Sequence, residues 1–126
     1  MNYYPKILLL LITASAISGC FGNKVLHEID YQSHWCNKHK GVLEYRLSDG
    51  TRVDCLTSEY AVEVEYARKW AEAIGQSLFY TKMTGKKPGI VLIMNEKGDE
   101  RFAKRLRAVA SREKIKVWTI RPNDLK

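Results

Sequence analysis

The sequence predicts an α/β domain in which helices flank a mixed central sheet, with elements in the order αβββαβαβ. Three observations carry this. Apolar and polar residues alternate with period two in three short segments between Val42 and Tyr66, the period becomes helical from Ala67, and Gly89 to Met94 is an unbroken apolar run. Such a run suits a strand covered on both faces.

In chain order, His27 to His39 lacks Pro and Gly and places Ile29, Tyr31 and either Trp35 or Cys36 on one broad side, which predicts a first helix ending at Gly41. Val42 to Leu47 then alternates, with Leu43, Tyr45 and Leu47 opposite Glu44 and Arg46, and Ser48-Asp49-Gly50 forms a turn. Thr51 to Leu56 is the second strand, with Val53 and Cys55 opposite Arg52 and Asp54. In the third, Tyr60, Val62, Val64 and Tyr66 face away from Ala61, Glu63 and Glu65. Short turns make these strands an antiparallel meander. A helix follows, with Trp70, Ala71, Ile74 and Leu78 inward and Gly85 as its stop. The strands before and after this helix should be parallel neighbours joined by a right-handed crossover. Asp99 is placed to cap a further helix carrying Phe102, Leu106 and Val109 inward, and Lys116 to Ile120 closes the chain as a strand.

Composition bounds the reading. Of 126 residues 45% are apolar and 28% charged, which excludes a disordered chain and a many-spanning membrane protein. A net charge of +7 favours a polyanionic partner, either nucleic acid or an anionic lipid surface.

The first residues read as a leader. One lysine, Lys6, precedes the uncharged stretch ILLLLITASAI at Ile7 to Ile17, too short to cross a bilayer as a helix. Ile17-Ser18-Gly19-Cys20 resembles the lipobox of bacterial lipoproteins, in which the cysteine is acylated and becomes the new N-terminus. The expectation is a signal peptide over 1–19, lipidation of Cys20, and a single domain over 20–126. Phe21 stands where an Asp would suggest retention at the inner membrane, so the expected location is the outer membrane, facing the periplasm. Cys36 and Cys55 then remain, and the sequence leaves open whether they pair. The trio His34, Cys36 and His39 matches no zinc-module spacing and lacks a fourth ligand, so it reads as helix surface.

Glu44, Asp54, Glu63 and Glu65 fall on the polar sides of consecutive strands. If those sides coincide, several carboxylates meet and call for a proton or a cation, Mg²⁺ or Mn²⁺ being suited to hard oxygen ligands. A plain exposed face, compensated by Arg46 and Arg52, would give the same pattern. On the next helix Lys69, Ala73, Gln76 and Tyr80 share a stripe about 40° wide at ~3.6 residues per turn, a ridge able to face phosphate. Arg101, Lys104, Arg105 and Arg112 form a basic face on the last helix, with Lys82, Lys86 and Lys87 near a loop. These residues suit phosphate, anionic lipid or bulk solvent.

The stretch Thr51 to Ile93 resembles the PD-(D/E)XK nuclease superfamily, whose restriction-endonuclease-like core runs αβββαβ. Asp54 matches the acid of the second strand, and Glu63-Val64-Glu65 matches the acid-x-Lys of the third except at its lysine. Gln76 to Tyr80 resembles the Q-x-x-x-Y helix motif of the RecB-like branch. The sharp motifs cover only Asp54 to Tyr80. The resemblance implies Asp54 and Glu63 as metal ligands, helped by the Val64 carbonyl, with Gln76 and Tyr80 toward the substrate backbone. Because Glu65 occupies the lysine position, Lys69 is the candidate to supply that charge. Glu44 or Glu28 could add an acid. The function implied is a Mg²⁺- or Mn²⁺-dependent phosphodiesterase acting on nucleic acid, DNA before RNA, on a membrane tether; a homodimer could grip a duplex. The alternative is an inactive nuclease-fold lipoprotein that binds nucleic acid, lipid or protein.

Overall fold

The structure, a computed structural model, describes residues 24–126. The leader and the lipidation site at Cys20 lie outside the described residues. Helix α1 (Glu28–Lys38) precedes strands β1 (Val42–Arg46), β2 (Arg52–Leu56) and β3 (Tyr60–Tyr66). A 3₁₀ turn (Ala67–Lys69) leads into α2 (Trp70–Thr84), followed by β4 (Lys87–Ile93), α3 (Glu100–Glu113), β5 (Lys116–Ile120) and a final 3₁₀ turn (Pro122–Leu125). The five strands form one mixed sheet in the order β1-β2-β3-β4-β5. The first three are antiparallel neighbours, and β3, β4 and β5 run parallel. The chain is therefore an α/β protein with a mixed sheet flanked by helices.

Two apolar layers hold the sheet. On one face Tyr31, Trp35 and Cys36 of α1 pack on Cys55, Val62, Val64, Val91 and Ile93. On the other, Ile90, Leu92 and Met94 meet Ala103, Leu106 and Ala110 of α3, with Trp70, Ile74 and Leu78 of α2 packed against them. Alternation along β4 sends successive apolar residues into both layers, as its unbroken run requires. Gly85 ends α2 in the left-handed conformation (φ 68°). Two helix expectations change. Ala71 is solvent-exposed, and Ala73, Ser77 and Tyr80 are the buried positions of α2. Asp99 does not cap α3 with its side chain, because its Oδ2 accepts the Glu96 N–H at 2.9 Å and closes the preceding loop instead.

The meander departs from simple alternation. Cys55 packs on the α1 side, whereas Val53 packs with Leu47, Ala61 and Tyr80 on the α2 side. Leu43 likewise lies against the α1 layer and Leu47 in the other cluster. The expected shared faces of Val53 with Cys55, and of Leu43 with Leu47, are thus corrected. The exchange occurs where Glu44, in a left-handed conformation (φ 53°), lies across from Asp54 between the pairs Leu43↔Cys55 and Tyr45↔Val53. Such an irregularity re-aims side chains by one face.

Cys36 and Cys55 form a disulfide with Cα atoms 5.5 Å apart, joining α1 to β2. Cys36 is therefore no metal ligand. Gly41 is required beside the bridge, since a Cβ there would collide with both sulfurs. The cross-link closes a segment with a sequence separation of 19. Replacing both cysteines with serine should cost about 3 kcal/mol. Urea unfolding with and without reductant checks this: the loss should appear in the native protein on reduction and be absent from the double variant.

Candidate active site

Where β2 parts from β3, the sheet opens into a cavity of about 570 Å³. Regular pairing between these strands is confined to Cys55↔Val62 and Leu56↔Ala61. Beyond it, the Asp54 side chain replaces a strand carbonyl: its Oδ2 accepts the Val64 N–H at 2.8 Å. Strand geometry sends the Val64 carbonyl out on the same side as its N–H. The Asp54 carbonyl accepts a hydrogen bond from Gln32 Nε2 at 3.1 Å, and the same amide donates to Glu44 Oε1 at 2.6 Å. Gln32 thus ties β1 and β2 together from α1.

Every side chain singled out by the sequence pattern lines this cavity: Asp54, Glu63, Glu65, Lys69, Gln76 and Tyr80, together with Glu28 and Glu44. Glu63 and Glu65 follow Ala61 to the α2 side of β3 by strict alternation and are each only 4% exposed. An exposed polar face is ruled out for them. Lys69 stands in the 3₁₀ turn just before α2, with Nζ 3.5 Å from Glu65 Oε2 and its side chain 46% exposed. Gln76 and Tyr80 stand one turn apart on the same face of α2.

Burial and mutual repulsion set the protonation pattern. Burial first, then the charges of Asp54 and Glu65, push the Glu63 carboxyl up to about 10. Asp54 rises to about 6, again through burial, although the Val64 N–H favours its ionised form. Glu28 is raised to about 7 by burial and by Glu65. The Glu65 carboxylate in turn raises Lys69, and burial pushes the Tyr80 phenol up to about 12. Asp54 and Glu63 repel each other, as do Glu28 and Glu65, so the four carboxyls act as one electrostatic cluster. Among the described residues no three His, Cys, Asp or Glu side chains stand in a ready-made metal cage.

One observation bears on a cation directly. Glu63 Oε2 is fully buried and has no hydrogen-bond partner, as is Gln76 Oε1. An unpartnered buried oxygen carries a desolvation penalty that a bound ion would relieve. The donor set of carboxylates and a main-chain carbonyl is that of a hard divalent cation.

Comparison with known proteins reaches only part of the chain. A protein of Acanthamoeba polyphaga mimivirus, named as KilA-N domain-containing, is 36% identical over 63 residues, which is 50% of this chain and 17% of that protein. The chain therefore spans about a sixth of that relative's length. No protein-family model matches the chain, and no solved structure matches it.

Gln32 is the residue that sequence reasoning missed. Its signal was present: it follows Glu28 by four residues, so the two share one face of α1.

A raised carboxyl favours the folded state only while protonated, so stability should fall as pH rises above the unfolded value near 4.5 toward the raised values. In chelator the melting temperature should drop steadily from pH 5 to 9. Glu63→Gln should flatten that slope and raise the melting temperature at pH 8 by about 5 °C. Calorimetry across this range is the check; a melting temperature that climbs with pH would contradict the assignment.

Proposed function

We propose that the protein is a metal-dependent phosphodiesterase acting on nucleic acid, DNA in the first instance, with a restriction-endonuclease-like core tethered to the membrane through Cys20. The observation that carries this is the buried, unpartnered Glu63 Oε2 in a cavity that Asp54 and the Lys69 side chain also line. Asp54, Glu63 and the Val64 carbonyl would hold Mg²⁺ or Mn²⁺. A divalent ion there supplies Lewis acidity, lowering the pKa of water and offsetting phosphate charge.

The remaining roles belong to the chain's own side chains. Lys69 is half in solvent and tied to Glu65 only at 3.5 Å, so its ammonium can turn toward a phosphate and offset developing charge. The Gln76 amide N–H₂ and the hydroxyl of the neutral Tyr80 ring both line the cavity and can donate to a phosphate oxygen. Gln32 fixes the Asp54 main chain and Glu44 together. It positions the acids without touching substrate. Nucleic acid as partner is also supported by the net charge of +7 and by the exposed Arg101, Lys104, Arg105 and Arg112 on α3.

A second reading, a catalytically silent binding module on the same fold, is favoured by one feature: Glu65 adds a negative charge at the lysine position. Nuclease assays decide between them. Purified protein should degrade DNA with Mg²⁺ or Mn²⁺, Asp54→Asn and Glu63→Gln should abolish this while the fold is kept, and Lys69→Met should slow it about 100-fold. Cleavage that persists in both acid variants would end the phosphodiesterase reading, and wild-type protein that binds DNA equally with and without metal but never cuts it would establish the module.

The tether has its own test. Labelled fatty acid should enter the protein in a bacterial host, and Cys20→Ser should abolish labelling and release the chain from the membrane fraction.

A further inference from the structure

A second cleft, of about 590 Å³, lies on the α1 side of the sheet toward β5. Helix α1 covers this face as far as Val91 and Ile93 of β4, and the cleft lies beyond it, beside β5, where Val117 to Ile120 line it. Its walls are aromatic. The His39 imidazole stacks on Trp35 with ring centres 3.7 Å apart and planes within 14°, and Trp118 tilts against Trp35 at 5.0 Å. The stack is held in place: His39 Nδ1 lies 2.8 Å from the Trp35 carbonyl, and Tyr60 meets Trp118 edge-on. Gly89 lets the indole lie across β4, since a Cβ there would stand 2.9 Å from Trp118 Cζ3. His39 is exposed, leaving the outer face of its ring free.

The rim is cationic. Lys38 and Arg107 line the cleft with the donor-bearing rings of His34 and His39. The acid among the lining residues is Asp124, whose Oδ2 already accepts the Arg121 N–H at 2.7 Å. Ring faces beside fixed positive charges match a flat aromatic group carrying phosphate. Duplex bases are stacked on each other and cannot enter; an unpaired base can.

We propose that this cleft binds an unpaired nucleotide of a single strand, its base stacking on His39 and its phosphate meeting Lys38 and Arg107. Single-stranded nucleic acid is then the substrate class of the phosphodiesterase, a deepening that rests on that reading. Helix α1 joins the two sites: Glu28 and Gln32 face the acidic cavity, while His34 and Lys38 line this cleft. A strand held here is anchored on the helix that also carries acidic-cavity residues.

Fluorescence anisotropy of the full chain in detergent, with chelator present, reads this cleft apart from catalysis. A labelled oligothymidylate about twelve nucleotides long should bind at least tenfold tighter than a duplex of equal length. His39→Ala and the exposed Lys38→Glu should each weaken single-strand binding about tenfold and leave duplex binding unchanged. Equal affinity for duplex and single strand, or single-strand binding untouched in both variants, would overturn the proposal, as would variants that lose binding only to phosphatidylglycerol vesicles. Cleavage with Mn²⁺ is scored separately. Single-strand binding at this cleft in a protein that cuts nothing keeps the cleft and defeats the phosphodiesterase, whereas cutting of duplex and single strand alike with unaltered rates in both variants defeats the cleft.

Discussion

One hydrogen bond decides the architecture of the acidic cavity: the Val64 N–H given to the Asp54 carboxylate instead of to a strand carbonyl. A buried backbone donor must be paired, and in an uninterrupted antiparallel ladder β2 would pair it. Using a side chain as the acceptor lets β2 swing away from β3 without leaving that donor orphaned. The carbonyl of Asp54 itself is held from α1 by the Gln32 amide. Removing either partner closes the opening or leaves a buried polar group unpaired. The cavity is thus an interruption of the sheet satisfied from two directions.

The opening gathers charges that repel one another. Glu28, Glu44, Asp54, Glu63, Glu65 and Glu72 line the cavity, with Arg52 and Lys69 as the cations among the lining residues. Burial and repulsion favour the protonated forms of Glu28 and Glu63, which relieves part of the repulsion, and the Arg52–Glu44 ion pair at 3.0 Å relieves more near the surface. The rest is borne by the scaffold. The Cys36–Cys55 bridge fastens α1 to β2 next to Asp54 and one turn beyond Gln32, so α1 cannot move away from the acids it helps to orient. A covalent clamp at this point does what packing alone does less well against like charges.

The fold was legible where pattern depends on burial alone. Unbroken apolar β4 reads as a strand covered twice, alternating β3 places Glu63 and Glu65 on one side, and the return to helical period at Ala67 marks a crossover. The exchange of faces in β1 and β2 was not legible. Val53 and Cys55 keep the two-residue spacing of an ordinary strand, and only a positive φ at Glu44 and a side-chain acceptor at Asp54 reveal the break. The convergence of the acids therefore had a partly mistaken warrant: alternation suffices for Glu63 and Glu65, but Asp54 and Glu44 arrive through the interruption. Pairing of Cys36 with Cys55 was open for a related reason, since it depends on how closely α1 approaches the displaced strand. The stacked wall of Trp35 and His39 was hidden because four-residue spacing on a helix reads equally well as core beside surface.

On the proposed phosphodiesterase reading, glutamate at position 65, where the resembled nucleases carry lysine, shifts the balance between the cavity and a phosphate. A lysine on β3 would be buried beside Glu63 and would spend its charge there. With glutamate at that position, the ammonium stands four residues on, at the mouth, where Lys69 is 46% exposed. Its contact with Glu65 is at the outer limit for a hydrogen bond, and half-solvated ion pairs are weak. The carboxylate that receives it has another partner, the Tyr66 N–H at 2.9 Å. Loss of the lysine would thus leave Glu65 hydrogen-bonded. A phosphate at the mouth can draw Lys69 outward at little cost, so the cation that a buried lysine would hold fixed becomes one that answers to the ligand.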